Sequence, residues 1–205
     1  MKEKKAQAGF TLVELMVALT LFVIVVLAAV SSLYTVNNAS RKVIAMRAVL
    51  DNLNFAVESV SRTIRTGDTY ICGGSPNRPA QVAWNCTFDQ GGDHEIMVHS
   101  TIYKDPSSGE DLDIDYKLDY DPGTGKGRII KMTSPTGTDN WTTPVSITSP
   151  EIDVQNFGVY VDGSGDGDSK QPMVMLVVQG VASAGDQNVA PFSIQTLISQ
   201  RTPEI

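Results

Sequence analysis

Cysteine and histidine are scarce in this chain. Its 205 residues include two of each, and the two cysteines do not form a CxxC pair. Two cysteines cannot by themselves supply the four ligands of a tetrahedral zinc site. His94 and His99 are five residues apart, a spacing that places them on different faces of a helix and on opposite faces of a strand. The sequence therefore predicts no zinc site.

Motifs of catalytic chemistry are also missing. The sequence has no nucleophile elbow, no glycine-rich loop carrying a Lys-Ser or Lys-Thr pair, and no Ser/His/Asp set with motif support. Each of these arrangements is needed to place a nucleophile, a base or a phosphate in reach of its partner. We therefore expect that the chain is not an enzyme.

Positive charge is in deficit. The chain has 16 basic and 23 acidic residues, a formal net charge of −7. The first nine residues carry three lysines and one glutamate, or +2, so the remainder carries −7 − 2 = −9. A dedicated nucleic-acid binder would show a basic stripe, and we expect no direct binding of nucleic acid. A role in DNA uptake stays open on charge alone, because other subunits can carry the positive patch.

Glycine and proline are absent between Phe10 and Ile64. The first part of this stretch, residues 10–30, is an apolar run of 21 positions in which only three residues are polar: Thr11, Glu14 and Thr20. About 20 apolar residues suffice for a helix to cross a bilayer, so the run predicts a transmembrane helix. A carboxylate at membrane depth is costly and is normally kept where it has a partner. Glu14 is therefore the first candidate functional residue.

The segment before the run sets its orientation. It holds one acid and three lysines, Lys2, Lys4 and Lys5. Basic flanks stay in the cytoplasm, so the chain after Val30 is predicted to be exported. A secretory signal peptide would have its small-residue cleavage site after the apolar core. Here the small residue, Gly9, precedes the core, and cleavage there leaves the apolar helix on the mature protein.

The string Gly9-Phe10-Thr11-Leu12-Val13-Glu14 resembles the processing site of type IV pilins and type II secretion pseudopilins. The resemblance is close over roughly the first thirty residues. It implies that a prepilin peptidase cuts between Gly9 and Phe10 and methylates the new amino group of Phe10. It also implies that Glu14 neutralises the Phe10 amine of a neighbouring subunit. The alternative is a Glu14 carboxylate that only reaches toward the lipid headgroups.

The same resemblance implies a structural subunit in the bacterial cytoplasmic membrane, with its C-terminal domain outside the cytoplasm. Its partners are then the prepilin peptidase, other pilin or pseudopilin subunits, the inner-membrane assembly platform and membrane lipid. Chain length and the segment 53–65 are most similar to minor subunits of the J or W type. The sequence leaves secretion, pilus and DNA uptake open as the machine. The alternative from another class is a membrane-tethered binding protein that uses a pilin-like leader for export.

Apolar residues continue at helical spacing beyond the membrane run and form one stripe: Val36, Ala39, Val43, Met46, Leu50, Leu53, Val57, Val60 and Ile64. Thr66 and Gly67 are predicted to end the helix. A helix from Thr11 to Ile64 would be about 80 Å long at ~1.5 Å per residue. We expect the stripe to cover the chain's own β-sheet; a self-paired coiled coil is the alternative.

Residues 67–94 are rich in loop formers, and from residue 95 onward the pattern is typical of strands. Leu112–Tyr120 alternates apolar residues with Asp113, Asp115, Lys117 and Asp119, which predicts a half-buried antiparallel strand with its acids in solvent. The other strands are predicted at 95–103, 128–132, 145–148, 154–162, 173–180 and 192–199. The fold class is α+β: a long N-terminal helix on a C-terminal, mainly antiparallel sheet. The predicted divisions are a leader (1–9), a membrane helix (10–30), its amphipathic continuation (31–66) and a β-rich domain (67–205).

Cys72 and Cys86 both lie in the loop-rich region and are both predicted to be exported. An even cysteine count in an oxidising compartment favours a disulfide. The alternative is a pair of partly buried free thiols. Residues 162–168, Asp-Gly-Ser-Gly-Asp-Gly-Asp, place oxygen side chains at alternate positions, as in the first half of a calcium loop. The candidate calcium ligands are Asp162, Ser164, Asp166 and Asp168, and the alternative is a solvated hairpin loop.

Overall fold

The computed structural model describes residues 9–73, 85–88, 91–164, 170–183 and 189–201. The chain divides into two compact units, one that runs to Ile44 and one that begins at Ala45. The first unit is the N-terminal part of a helix. The second contains the rest of that helix and all the strands. The predicted α+β fold, a long N-terminal helix followed by antiparallel sheets, is confirmed.

Helix α1 (Leu12–Thr66) is 55 residues long. It is unbroken because the sequence offers no glycine or proline until Gly67, at the position where the helix was predicted to end. Arg65 lies in its last turn, where the helix dipole favours a cation. Among the described residues, α1 is the one helix that is long and apolar enough to cross a membrane.

The first unit has no buried surface of its own. Every described residue from Gly9 to Ile44 is exposed. In residues 10–30 nearly every side chain is apolar, so no face of this part of the helix is suited to water. A helix that is apolar all round is normally surrounded by lipid or by other protein. This unit therefore requires a surrounding that the isolated chain does not supply.

The second unit contains two antiparallel sheets. The first has five strands in sequence order: β1 (Thr69–Cys72), β2 (Glu95–Lys104), β3 (Asp111–Tyr120), β4 (Gly127–Pro135) and β5 (Val145–Ser146). The second has three strands, also in sequence order: β6 (Ile152–Asp162), β7 (Met173–Ser183) and β8 (Val189–Ser199). Isolated bridges join Cys86 to Val161 and Asp93 to Val159. The sequence indicated one sheet; the structure has two.

The core of the second unit lies between α1 and the sheets. The buried face of the helix carries Val49, Leu53, Val60 and Ile64, which belong to one cluster with apolar residues of both sheets. Polar bonds complete the contact: Thr63 Oγ1 and the Tyr116 hydroxyl are 2.8 Å apart. At the helix C-terminus, the Tyr70 hydroxyl donates to the Ile64 and Gly67 carbonyls. Gln200 and Arg201 also donate to carbonyls there, so the end of β8 is tied to the end of α1.

The predicted apolar stripe is correct only in part. Leu53, Val60 and Ile64 are buried as expected, whereas Leu50 is 39% exposed. Val49 and Ala56, which lie outside the predicted stripe, are buried instead. The predicted stripe and the row that contains Val49 and Ala56 are adjacent on the helix surface. Periodicity alone does not show which of the two rows packs against the sheet. The earlier part of the stripe, from Val36 to Val43, is exposed.

The strand predictions are confirmed for the longer strands, with ends extended by one to three residues. Strand β1 was missed, because it has four residues within a region rich in loop formers. Strand β4 continues to Pro135, three residues beyond its predicted end, and Ser134 within that extension is fully buried.

The solvent exposure predicted for the polar face of β3 is wrong at two positions. Asp113 and Asp115 were expected in solvent, yet they are 2% and 4% exposed. Alternation identifies the two faces of a strand, but it does not show that the polar face is left uncovered.

Candidate functional site

The N-terminal motif begins outside the helix. Gly9 and Phe10 have no regular secondary structure, and α1 starts two residues after Phe10, at Leu12. Phe10 is 81% exposed, and a Cβ atom added to Gly9 would meet nothing within 4 Å. Exposed, non-helical segments are where proteases cut most readily. The peptide between Gly9 and Phe10 is therefore accessible to an enzyme.

Thr11 caps the helix at this motif. The Glu14 backbone N–H donates to Thr11 Oγ1 at 3.3 Å, and the Leu15 N–H donates to the Thr11 carbonyl at 3.3 Å. A threonine followed three residues later by a glutamate is the spacing of a capping box. The cap fixes Glu14 in the first turn, where the positive end of the helix dipole favours a carboxylate. The sequence interpretation did not assign this role to Thr11, although the Thr-x-x-Glu spacing was the available signal.

The hydroxyl groups of Thr20, in the apolar segment, and Ser31, directly after it, form hydrogen bonds to carbonyls of the same helix. Thr20 donates to the Val17 carbonyl at 2.8 Å, and Ser31 donates to the Leu27 carbonyl at 2.8 Å. Such bonds let hydroxyl groups lie in an apolar surrounding without an unpaired donor. Glu14 differs, because it is the one charged residue between Phe10 and Ser40. It is therefore the residue whose charge calls for an external partner.

Comparison with known proteins identifies this segment. Residues 4–30 match the family model of the prokaryotic N-terminal methylation motif. The match indicates a type IV pilin-like precursor. A prepilin motif of this kind implies processing by a prepilin peptidase and assembly with other pilins, and the apolar helix suggests membrane anchoring. Neither the curated proteins nor the solved structures include a match to this chain.

The two cysteines are joined. Cys72, the last residue of β1, forms a disulfide with Cys86, and their Cα atoms are 5.8 Å apart. Both residues are buried. Cys86 also exchanges backbone hydrogen bonds with Val161 of β6, at 3.1 and 3.0 Å. The disulfide therefore connects the edge of the five-stranded sheet to the first strand of the three-stranded sheet.

Removing the disulfide is expected to destabilise the second unit. The bonded cysteines are 14 residues apart, and a loop of this size corresponds to about 3 kcal/mol of unfolding free energy. The double variant Cys72→Ala/Cys86→Ala should lower the urea midpoint of the full chain in detergent, followed by tryptophan fluorescence. A reductant should lower the wild-type midpoint by the same amount as the double substitution does, and it should leave the midpoint of the variant unchanged. Equal midpoints for both proteins without reductant would show that the Cys86–Val161 bridge suffices.

The candidate calcium loop lies partly outside the described residues, because Asp166 and Asp168 are not among them. Of the other two candidate ligands, Asp162 has Oδ1 3.8 Å from Lys170 Nζ. The Ser164 hydroxyl and its N–H both donate to Asn85 Oδ1, at 2.6 and 3.0 Å. These contacts tie the start of the loop to the residue before Cys86. Calcium binding stays a prediction.

The two histidines have different neighbours. His94 Nδ1 lies 3.1 Å from the Phe157 carbonyl oxygen. His99 Nδ1 lies 2.7 Å from Asp113 Oδ1, and Thr136 Oγ1 approaches both. In the part of the chain that the structure describes, no three His, Cys, Asp or Glu residues are grouped so as to hold a metal ion. His99 and Thr136 therefore both pair with Oδ1 of the buried Asp113.

Asp115 is the unusual carboxyl of the five-stranded sheet. It lies between Met97 on β2 and Met132 on β4, and its Oδ1 has no hydrogen-bond partner. Burial raises the pKa of Asp115 to about 8, and the nearby Glu95 carboxylate adds to the shift. Lys117, with Nζ 3.9 Å from Oδ2, acts in the opposite direction. Asp115 therefore holds a proton at neutral pH, which is how this burial is tolerated.

An apolar groove of about 370 Å³ lies on the three-stranded sheet. Its lining includes Phe88, Tyr160, Met173, Met175 and Leu197. The rings of Phe88 and Tyr160 have centroids 5.0 Å apart. The groove is open, since Phe88 is 72% exposed and Leu197 is 64% exposed.

Proposed function

We propose that this chain is a subunit of a type IV pilus-like or type II secretion filament, cut between Gly9 and Phe10 and assembled through α1. The observation that carries the proposal is Glu14, a lone carboxylate at the start of an exposed apolar helix. Glu14 lies four residues after Phe10, whose peptide bond to Gly9 is accessible and non-helical. A helix that serves only as a membrane anchor gains nothing from a charged side chain at that depth. In an assembly of such helices, the carboxylate can pair with an amino group of a neighbouring subunit.

The chemistry of the pairing follows from the cut. Cleavage frees an amino group on Phe10, four residues before Glu14. An amine and a carboxylate each lose hydration when the helix end enters an apolar surrounding, and pairing offsets that loss. In an assembly, Glu14 of one subunit neutralises the Phe10 amine of the next. Each subunit then offers one donor and one acceptor, an arrangement that continues from subunit to subunit.

Within such a filament we propose a minor subunit of the J or W type, located in the inner membrane before assembly with its C-terminal domain outside the cytoplasm. The unbroken helix supports this proposal, because many major pilins have glycine or proline in the region where this chain has neither. The partners are the prepilin peptidase, the other pilin or pseudopilin subunits and the assembly platform.

The intact mass of the protein from membranes tests the processing. With an active prepilin peptidase, we expect the mass of the chain without residues 1–9, increased by one methyl group on Phe10. Without the peptidase, the full chain should remain. A retained leader in the presence of active peptidase, or a cut after Val30, would contradict the proposal.

A second candidate function is a membrane-tethered binding protein with a pilin-like leader. The groove favours it, because the groove is open and is lined by exposed apolar side chains such as Phe88 and Leu197. The two functions differ in their dependence on Glu14. A filament subunit loses incorporation when Glu14 is replaced, whereas a tethered binder keeps its activity.

A further inference from the structure

Strand β8 has one open edge. In the order β6-β7-β8, only β7 is hydrogen-bonded to it. No backbone hydrogen bond from the outer edge of residues 189–199 occurs in the described part of the chain. Two residues beyond β8, the Arg201 N–H donates to the Arg65 carbonyl of α1 at 3.1 Å, so the open stretch of the edge ends at Ser199. The strand is long, with 11 residues, and Leu197 on it is 64% exposed. An open edge of this length is a template for another strand.

The register shows which backbone groups point outward. Gln200 is the residue after β8, and it lies opposite Pro172, the residue before β7. The Gln200 N–H donates to the Pro172 carbonyl at 3.1 Å. Antiparallel strands alternate the direction of their backbone groups, so the even-numbered residues of β8 bond to β7. The odd-numbered residues direct their backbone groups to the open edge: Val189, Pro191, Ser193, Gln195, Leu197 and Ser199. Pro191, which has no N–H to lose, fits this assignment.

Strand β8 also has no charged side chain. No residue of β8 is acidic or basic, although the chain as a whole carries −7. Natural edge strands usually carry charges, which block pairing, and like charges opposite each other destabilise a sheet. The other edge strand of this sheet, β6, is equally long but carries Asp153 and Asp162. Strand β8 is therefore the long edge strand on which two copies of this acidic chain can meet without repulsion.

We propose that β8 pairs with β8 of a second copy, antiparallel, about a two-fold axis at Gln195. This register places Gln195 opposite Gln195 of the second copy, and Ser193 opposite its Leu197. Pro191 then falls at the end of the pairing, where its missing N–H costs least. A glutamine amide has both donors and an acceptor, so two of them are self-complementary. Among the described residues, the one hydrogen-bond partner of the Gln195 amide is the weak acceptor Met175 Sδ. The pairing is independent of the proposed filament role.

Cysteine crosslinking in membranes tests the pairing on the full chain. The native cysteines are bonded to each other, so Gln195→Cys adds the one free thiol. Residues that form a hydrogen-bonded antiparallel pair have Cα atoms about 5.5 Å apart, within disulfide range. With a mild oxidant, we expect a dimer that reductant reverses. Linkage to a different polypeptide would overturn the second copy as the occupant.

Gln179→Cys is the matched control. Gln179 is exposed and lies on β7, one strand in from the edge, opposite Ser193. Two copies of it would be at least three strand spacings apart, about 14 Å, and should not crosslink. Equal crosslinking of the two variants would overturn the pairing.

A proline on the edge tests whether the contact is made by the main chain. Ser193→Pro removes an outward N–H but no main-chain bond to β7, so β8 keeps its backbone pairing in the sheet. The substitution also removes the Ser193 hydroxyl, which accepts a hydrogen bond from Gln179 Nε2 on β7 at 3.4 Å. Combined with Gln195→Cys, it should reduce the dimer strongly. Crosslinking that persists at the level of Gln195→Cys alone would refute strand pairing. Processing between Gly9 and Phe10 is expected to be the same in all of these variants, so this test stands apart from that of the filament role.

Discussion

Replacing Glu14 by alanine is expected to remove the chain from filaments while leaving its processing intact. Breaking a buried ion pair by deleting one partner costs about 3–5 kcal/mol. At about 1.4 kcal/mol per factor of ten, incorporation should fall by roughly a hundredfold or more. The measurement is the fraction of protein recovered in sheared filaments relative to membranes. The mass of the membrane fraction should still show loss of residues 1–9.

Two further variants separate charge from shape. Glu14→Gln keeps the size of the side chain without its charge, and it should fail to assemble as alanine does. Thr20→Ala changes a polar residue in the same apolar run, but its hydroxyl bonds only to its own helix, at the Val17 carbonyl. It should assemble normally. Wild-type incorporation of Glu14→Ala would instead favour the tethered binding protein.

The second large effect is a loss of stability between about pH 4 and pH 8 that is caused by Asp115. Its folded pKa, raised to about 8, exceeds the value of about 3.9 for an unfolded aspartate. The folded state therefore binds the proton more tightly. The stabilisation is complete below the unfolded pKa and is lost as the pH rises through the folded pKa. At about 1.4 kcal/mol per pKa unit, the unfolding free energy should fall by several kcal/mol from acid to alkaline conditions.

Asp115→Asn keeps the shape and removes the titration. The urea midpoint of this variant should be nearly independent of pH between the unfolded and folded pKa values of Asp115. Above pH 8 it should exceed the wild-type midpoint. Asp119→Asn is the control on the same strand, because Asp119 is more exposed and is bonded to Arg128. It should keep the wild-type slope. A wild-type slope in Asp115→Asn would assign the pH dependence to other groups.

Local patterns predicted most of the fold. The missing glycine and proline predicted the unbroken helix, and Gly67 marked its end. Alternation located β3, and loop formers marked most of the connection between α1 and β2. These features could be predicted because each depends on the conformational preferences of a few neighbouring residues. The Gly9–Glu14 motif belongs to the same class, since a peptidase reads a short contiguous segment.

Burial of the acids on β3 could not be predicted in this way. The sequence placed Asp113 and Asp115 on the polar face, which was correct, and in solvent, which was wrong. Asp113 is covered and paired by His99 and Thr136. These partners are 14 and 23 residues away along the chain. No local pattern reports such contacts, because they arise only when β2, β3 and the end of β4 are aligned.

The sequence by itself determined the N-terminal motif, the apolar helix and the α+β class, because chain-local sterics and hydrophobic periodicity decide them. Only the tertiary structure decided which line of α1 is covered, which carboxyl keeps its proton and which strand has an open edge. Each of these depends on the register between segments far apart in the chain. A shift of one residue in that register exchanges the two faces of a strand. For that reason Asp115 and the edge of β8 became visible only in the folded chain.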